Sequence, residues 1–557
     1  MLARDSLSRA AAARRGAAMV AACVILGAAA RLVALRALPV FGDEALNLRM
    51  AVLARSDPLA RLWISLQEAQ PPLHVWLLAF FLPASPDPVR AGRLLSAVAG
   101  VLCIPAAAWT ARRTLALFGQ PEEPARIASW SAAALVAFCP FFVFAERLAR
   151  VDGLFLLETI LAAGLSAALA GRVASGSRTP LGLASAFGAL MGITMLTRQA
   201  VSYPLWLLPP AAWVLLQRER RRGAGRLVAA MAMGAVVAGA LWLPMLLAPG
   251  EPDTFTRIFH SSDYRPAMTP SDRLRMTLAN VRLAAHGFLV YLTPPVAVLA
   301  VLGILDLAAA RRWRLLVYGM VWLAILLAPP AAFAARYFPR YALPAALPVC
   351  LLAGWGVARL WALVRQRVPA AVAAAGLAVA VLGPSAVDLV RGERNWLDWR
   401  LLPIDREQFV SGTAAGFASE QAAAALRRIA AERIVVLTPG ISGNPTDAVW
   451  LLLGSDPRIR LSYTADALAE PLLPAAGVNG MRLLPGDSRD PRRRPEPLPE
   501  GVPVYALATD PLLTRSGWVG AVPFLARLNP GLTETARFEN PQEPGLPANA
   551  VVVLRVR

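Results

Sequence analysis

Eleven stretches of about twenty residues, uncharged or nearly so, recur along this chain: roughly 17–38, 94–111, 127–145, 153–171, 179–197, 199–217, 227–249, 283–305, 315–335, 341–358 and 368–387. About 20 apolar residues in a helix span the hydrocarbon core of a bilayer, where the backbone must satisfy its own hydrogen bonds. The pattern predicts a mostly α, polytopic membrane protein with about 11 transmembrane helices. Charged residues make up only 17% of the 557, against ~25% in a typical soluble domain. A disordered chain, a coiled coil and an ordinary cytosolic enzyme are thereby excluded. The first stretch has no small-residue cleavage site and continues through Arg31 and Arg36, so it reads as a span rather than a signal peptide.

The formal net charge is +20, and every basic residue is arginine. Such a balance can serve nucleic acid, but here the arginines lie mostly between apolar runs and no nucleic-acid-binding fold accompanies them, so no nucleic-acid partner is expected. One set of loops is short and dense in arginine: Arg4 to Arg15, Arg112 to Arg126, Arg172 and Arg178, Arg218 to Arg226, Arg311 to Arg314, and Arg359 to Arg367. The alternate loops are longer and mix arginine with acids. By the positive-inside rule the first set is cytoplasmic. The N-terminus is then cytoplasmic, and an odd number of crossings puts the C-terminus outside. The apolar segment Pro71 to Pro83 is too short to cross and reads as an interfacial or re-entrant piece on the outer face. Cys23, Cys103, Cys139 and Cys350 all fall inside apolar runs and read as small buried hydrophobes.

From about Asn395 the composition changes and the spans stop. Residues 419–431 form an amphipathic helical pattern, Pro445 to Leu453 a short helix, and ERIVVL, RIRLSY, VPVYALA and NAVVVLRVR strands, a combination that suggests a small C-terminal α/β domain. The expected division is a membrane domain at 1–393 and an extracytoplasmic domain at 394–557. Residues 485–503, rich in proline and arginine, read as a loop. The glycines of this tail form neither a GxGxxG nor a Walker pattern.

Ionisable residues gather at the outer ends of spans, where they are candidates for function. Asp43 and Glu44, just after the first span, could supply a general base or hold a metal. The same carboxylates would also suit the start of a helix, with Asp43 as N-cap. In Glu146-Arg147-Leu148-Ala149-Arg150-Val151-Asp152 the two arginines are three apart, a spacing that shares a helix face, and two guanidinium forks suit a phosphate. Interfacial snorkelling with an Arg–Asp pair is the alternative. Arg198 lies alone between two spans, and Arg336, Arg340 and Tyr341 stand at the start of the tenth. A lipid phosphate would account for these outward arginines, as would ordinary headgroups. Glu68 and Gln70 lead into the Pro71-Pro72 turn, with His74 after it. His260 and a carboxylate such as Glu68 could ligate a divalent metal; His286 reads as a buried polar residue at a helix start. Charges within spans are nearly absent, Glu158 being the main one, which argues against a coupled transport path.

FGDEALNLRMA after the first span, QPPLHVWLLAFFL, RLLSAVAGVL, AERLARVDGLFLLE, LTRQ and RYFPRYALPAALP together resemble the GT-C glycosyltransferases over about residues 17–390. Within them the chain is similar to the protein O-mannosyltransferases (family 39) and the lipid A aminoarabinose transferases (family 83). The resemblance implies an inverting glycosyltransferase of the cytoplasmic (inner) membrane. It would move a sugar from a polyprenyl-phosphate donor to a lipid, glycan or protein acceptor hydroxyl at the outer face, amid membrane lipid. It implies Asp43 as the general base and Glu44 as its partner, orienting the acceptor. It also implies Arg147, Arg150, Arg198, Arg336 and Arg340 at the donor phosphate, with Asp152, Glu68, Gln70 and Tyr341 in support. No cofactor is required by it, and a divalent metal is an option. The chain departs from the aminoarabinose branch at Ala69-Gln70, where that branch has Glu-Lys, and at Ala45-Leu46-Asn47, where it has an arginine. The loop at 251–285 is too short for the β-trefoil of the mannosylating branch. A lipid or polysaccharide flippase and a non-catalytic membrane scaffold are the competing functions.

Overall fold

The computed structural model describes residues 2–68, 70–176, 181–198, 202–216, 223–248, 269–334, 336–438, 443–463, 499–514, 517–519, 522, 525, 531–542 and 548–556. In chain order the main helices are α1 (Leu2–Leu32), α2 (Gly42–Ser56), α3 (Leu73–Phe81), α4 (Pro88–Leu117), α5 (Glu122–Phe138), α6 (Val151–Ala174), α7 (Leu181–Thr197) and α8 (Ala224–Leu246). They continue with α9 (Pro270–Tyr291), α10 (Pro294–Ala309), α11 (Trp313–Phe333), α12 (Ala346–Val364), α13 (Ala370–Arg394), α14 (Phe417–Ile429) and α15 (Thr446–Leu453). The strands are β1 (Ile434–Thr438), β2 (Ile459–Tyr463), β3 (Val504–Asp510), β4 (Leu512–Thr514), β5 (Gly517–Val519), β6 (Thr533–Glu539) and β7 (Ala550–Arg555).

Among the described residues, six helices (α4, α6, α8, α11, α12 and α13) are long and apolar enough to cross a bilayer. Shorter apolar helices cover Gly16–Leu32, Leu73–Ala84, Leu181–Thr197 and Tyr203–Leu216. The chain is a multi-pass membrane protein. Among the expected spans, 127–145 breaks at Cys139 before Pro140, and another takes a bent form. The run 283–305 is divided between α9 and α10, which meet at a bend of 113°. Pro294 and Pro295 carry no N–H to continue α9, and Thr293 at φ 68° turns the chain before α10 begins.

The chain divides into two compact units, Met1–Leu35 with Arg93–Pro249 and Pro266–Arg400, and Arg36–Gly92 with Gly250–Arg265 and Leu401–Arg557.

The first unit is the helical bundle. Small residues let its helices approach closely, the usual device where lipid removes the hydrophobic drive for association. A Cβ on Gly303 of α10 would stand 2.1 Å from the Leu352 carbonyl, and one on Gly356 of α12 would stand 2.2 Å from the Leu299 carbonyl. That backbone contact exists only because both residues are glycine. Arg31, in the last turn of α1, is fully buried against Glu146 with Nη2 and Oε2 2.6 Å apart. Its other N–H groups donate to the carbonyls of Gly27, Val136 and Ala137 at 2.8–3.0 Å. A buried charge is tolerated here because its fork is filled. All four cysteines are buried and free, as their placement in apolar runs predicts.

The second unit is built on a five-stranded sheet of order β2-β1-β3-β7-β6. β1 pairs parallel with β2 and β3, while β7 runs antiparallel to β3 and β6. β1 is buried on both faces, as a run of β-branched residues in a parallel sheet requires. Ile434 and Val436 pack with Leu426 of α14 and Leu453 of α15, and Val435 and Leu437 pack on the opposite face with Val504 and Val552. Residues 36–92 join this unit through α2, which packs on α15. Arg49 of α2 pairs with Asp447 at 2.9 Å, both buried, and lies 4.3 Å over the ring of Trp450. Burial pushes the Asp447 carboxyl up, against the pull of Arg49.

Candidate functional site

α2 begins at Gly42, with Phe41 as N-cap at φ −72° and ψ 149°. A phenyl ring cannot cap. Glu44 instead reaches back, its Oε2 accepting from the Phe41 N–H at 3.0 Å, which is one half of a capping box. Asp43 and Glu44 therefore occupy the first turn, at the positive end of the helix dipole. The alternative that Asp43 is the N-cap does not hold, because the Gly42 N–H is already engaged by the Ala414 carbonyl and helical bonding starts from Phe41. Glu44 is fully buried, whereas Asp43 keeps part of its surface open. Of the two carboxylates, Asp43 is the one a second molecule can reach.

In the helical bundle, a second constellation forms around Asp152 in the first turn of α6. Its buried carboxylate accepts a hydrogen bond from Arg198 Nη1 at 2.9 Å and faces Arg150 Nη2 at 3.3 Å. Arg340 lies close enough to act on the same carboxylate. Arg198 sits over the rings of Tyr341 and Phe155 at 5.2 and 5.7 Å, and Arg340 over Phe338 and Tyr341 at 4.5 and 5.5 Å. The exposed Arg336 also lies over the Phe338 ring, at 5.3 Å. Stacking holds guanidinium planes without consuming their N–H donors. Arg150, Arg198, Asp152, Arg340 and Tyr341 are thus brought together, with Arg336 at the edge.

Arg147 goes elsewhere. The short helix Pro140–Ala145 ends before it, and residues 146–150 form turns, so Arg147 and Arg150 do not share the helix face that their spacing predicts. Arg147 donates to the carbonyls of Val33 and Ala34 at 2.7 and 3.1 Å and pairs with Glu393. Glu146 is the buried partner of Arg31. Glu158 in α6 is buried and accepts from Thr197 Oγ1 at 2.7 Å. The motif 146–152 is therefore divided: Glu146 and Arg147 bond elsewhere in the bundle, while Arg150 and Asp152 join Arg198.

Gln70 is held by its N–H to the Ser65 carbonyl at 3.0 Å, and Glu68, partly exposed, ends a short 3-10 turn before it. His74 is buried at the start of α3. His286 is exposed on α9, where a buried position at a helix start was expected. His260 lies outside the described residues. Among the described residues, no group of three or more His, Cys, Asp or Glu side chains converges as a metal site. Sequence reasoning passed over Arg31, Arg49 and Asp447, whose partners lie far away in the chain; a charge inside an apolar run was the available signal for Arg31.

No family model matches the chain, and no curated protein is similar to it by sequence. Solved structures are similar in fold. ArnT from Cupriavidus metallidurans in the apo state superposes with a TM-score of 0.56 at 16% identity, over 98% of this chain and 98% of that one. The same protein bound to undecaprenyl phosphate gives 0.53 at 16% identity, over 96% and 97%. The apo oligosaccharyltransferase from Archaeoglobus fulgidus gives 0.47 at 11% identity, over 83% of this chain and 66% of that one. The chain has the fold of this ArnT over nearly its whole length.

Proposed function

We propose that this chain is an inverting glycosyltransferase that takes a sugar from a polyprenyl-phosphate donor. The acceptor is a hydroxyl at the outer face of the cytoplasmic membrane. The observation that carries this reading is the set of guanidinium groups (Arg150, Arg198 and Arg340) gathered on the buried Asp152 and on Tyr341, in a fold shared with a protein solved with undecaprenyl phosphate. The acceptor oxygen attacks the anomeric carbon as the bond from that carbon to the phosphate oxygen breaks. The sugar inverts, and the polyprenyl phosphate leaves with the electron pair. Asp43, open at the first turn of α2, takes the proton of the acceptor hydroxyl. The arginines meet the charge that grows on the departing phosphate. Residues 1–393 carry the membrane part of this activity and 394–557 an extracytoplasmic part. The donor sugar is a hexose or a pentose, as in the families the motifs resemble.

The test uses purified protein with radiolabelled polyprenyl-phosphate sugars and membrane extracts as acceptor, with and without chelator, beside Asp43→Asn. Label transferred by wild type and lost in Asp43→Asn, with insertion and folding intact, supports both the reaction and the base. Full activity of Asp43→Asn would overturn the base. Donor binding without transfer across the whole panel would turn the reading toward lipid transport, and the chelator arm reads any need for a divalent metal.

A further inference from the structure

Of the three residues before Asp43, Val40 and Gly42 have backbone polar groups taken by side chains and carbonyls that follow them by about four hundred positions. The Val40 N–H donates to Glu420 Oε1 at 2.9 Å, and the Val40 carbonyl accepts from Asn444 Nδ2 at 2.9 Å. The Gly42 N–H donates to the Ala414 carbonyl at 2.9 Å, and Asn444 Nδ2 donates to that same carbonyl at 3.0 Å. One amide group thus ties both strands of the contact together. Phe41 packs its ring on Phe409, with centroids 4.7 Å apart. Glu420 is itself fixed, since Arg36 donates to it at 2.7 Å and to Asp87 at 2.8 Å.

Gly416 sets how close the two segments come. A Cβ there would stand 2.2 Å from the Val40 carbonyl oxygen. Its φ is −88°, a value any residue adopts. The glycine is needed for the approach and not for the turn.

We propose that Asn444, Gly416 and Glu420 are positioning residues for the Asp43 carboxylate. They hold residues 40–42 so that α2 starts at Gly42 and presents Asp43 in one fixed place. The tail is therefore part of the catalytic apparatus, acting through the backbone ahead of the base. This rests on Asp43 being the base. A base gains its effect from geometry, and a shift of about 1 Å can cost ~100-fold in rate.

The experiment measures kcat and KM of Asn444→Ala, Asn444→Asp, Gly416→Ala, Asp43→Asn and Arg458→Ala, with the donor sugar that wild type turns over. Asn444→Asp keeps the shape and removes both donated bonds. Gly416→Ala keeps every bond donor and forces the segments apart. Arg458→Ala, on an exposed turn, is the control. Binding of undecaprenyl phosphate and thermal melting in detergent are recorded for each variant. The expected result is a kcat lower by ~10–100-fold in the three clamp variants, with donor KM and undecaprenyl phosphate affinity within about twofold of wild type. A merely structural role would lower kcat and binding together with the folded fraction, and that outcome overturns the proposal. So does wild-type kcat in Asn444→Asp and Gly416→Ala while Asp43→Asn is inactive. An active Asp43→Asn would instead overturn the base on which the proposal rests, a result told apart by that one variant.

Discussion

The guanidinium of Arg198, one residue beyond the end of α7, donates a hydrogen bond of 2.9 Å to the buried carboxylate of Asp152 in the first turn of α6. Of the five N–H donors that a guanidinium carries, this bond uses one. Asp152 thus aims the fork while leaving it cationic, and the Tyr341 ring supports it from one side.

Arg198→Ala is expected to weaken binding of undecaprenyl phosphate by ~10–100-fold, the equivalent of about 1.5–3 kcal/mol for a hydrogen bond to a charged group. Arg198→Lys keeps the charge, loses the fork and is expected to fall in between. Equilibrium binding to the purified protein in detergent checks both. Unchanged affinity in Arg198→Ala would remove Arg198 from the phosphate.

Arg147 should behave in the opposite way. Its N–H groups are spent on the Val33 and Ala34 carbonyls and on Glu393. Arg147→Ala leaves those acceptors short of a donor and is expected to destabilise the bundle by about 1–3 kcal/mol. Undecaprenyl phosphate affinity should stay within about twofold of wild type in the folded fraction. Thermal melting read beside binding separates the two arginines; a large loss of affinity at an unchanged melting temperature would return Arg147 to the donor site.

The Arg31–Glu146 pair, with neither side chain exposed, should show strong coupling. Removing one partner strands a buried charge and is expected to cost about 3–5 kcal/mol. The double variant Arg31→Met with Glu146→Leu should recover much of that loss. Strict additivity of the single effects in a thermal double-mutant cycle would contradict the pairing.

In the turn between α15 and β2, the side chain and N–H of Arg458 hold the Asp456 carboxyl down to about 2. The unfolded value is about 3.9. A depressed carboxyl adds stability that is fully present above its unfolded value and is lost as the pH falls through the folded one. Arg458→Ala should therefore be less stable than wild type at neutral pH, and the difference should shrink as the pH falls toward about 2. Denaturant melts across that range check the sign. A difference independent of pH would contradict the linkage.

The membrane helices were legible because an apolar run of bilayer length has few other uses. The bend between α9 and α10 was missed, although Pro294-Pro295 marked it; a hydropathy window averages over a break that keeps the chain apolar. The spacing of Arg147 and Arg150 suggested a helix, but Pro140 starts a helix too short to reach them. The tail strands β1, β2, β3 and β7 were visible as short, largely apolar runs, β-branched in β1 and β7. β6 was not, since its sequence TETARFE belongs to an edge strand with most side chains exposed. The carboxylates and arginines stand out in the sequence by their place at span ends. Their division into Arg150, Arg198 and Arg340 on one hand and Arg147 on the other depends on contacts between residues far apart, such as Arg147 with Val33. Nor does any local feature mark 36–92 as the partner of 401–557.

That last pairing ties the protein to its order of synthesis. Leu401 follows Gly92 by 309 residues, 401 minus 92, which a ribosome adding ~5–20 residues per second takes roughly 15–60 s to supply. Through that interval Arg49 has no Asp447, and the Val40–Gly42 segment has no Asn444 or Ala414 to bond. The six long apolar helices among the described residues are translated first, and the contacts ahead of Asp43 are completed last. A message broken before codon 401 would leave the start of α2 without these partners, so the last part of translation supplies the contacts that seat it.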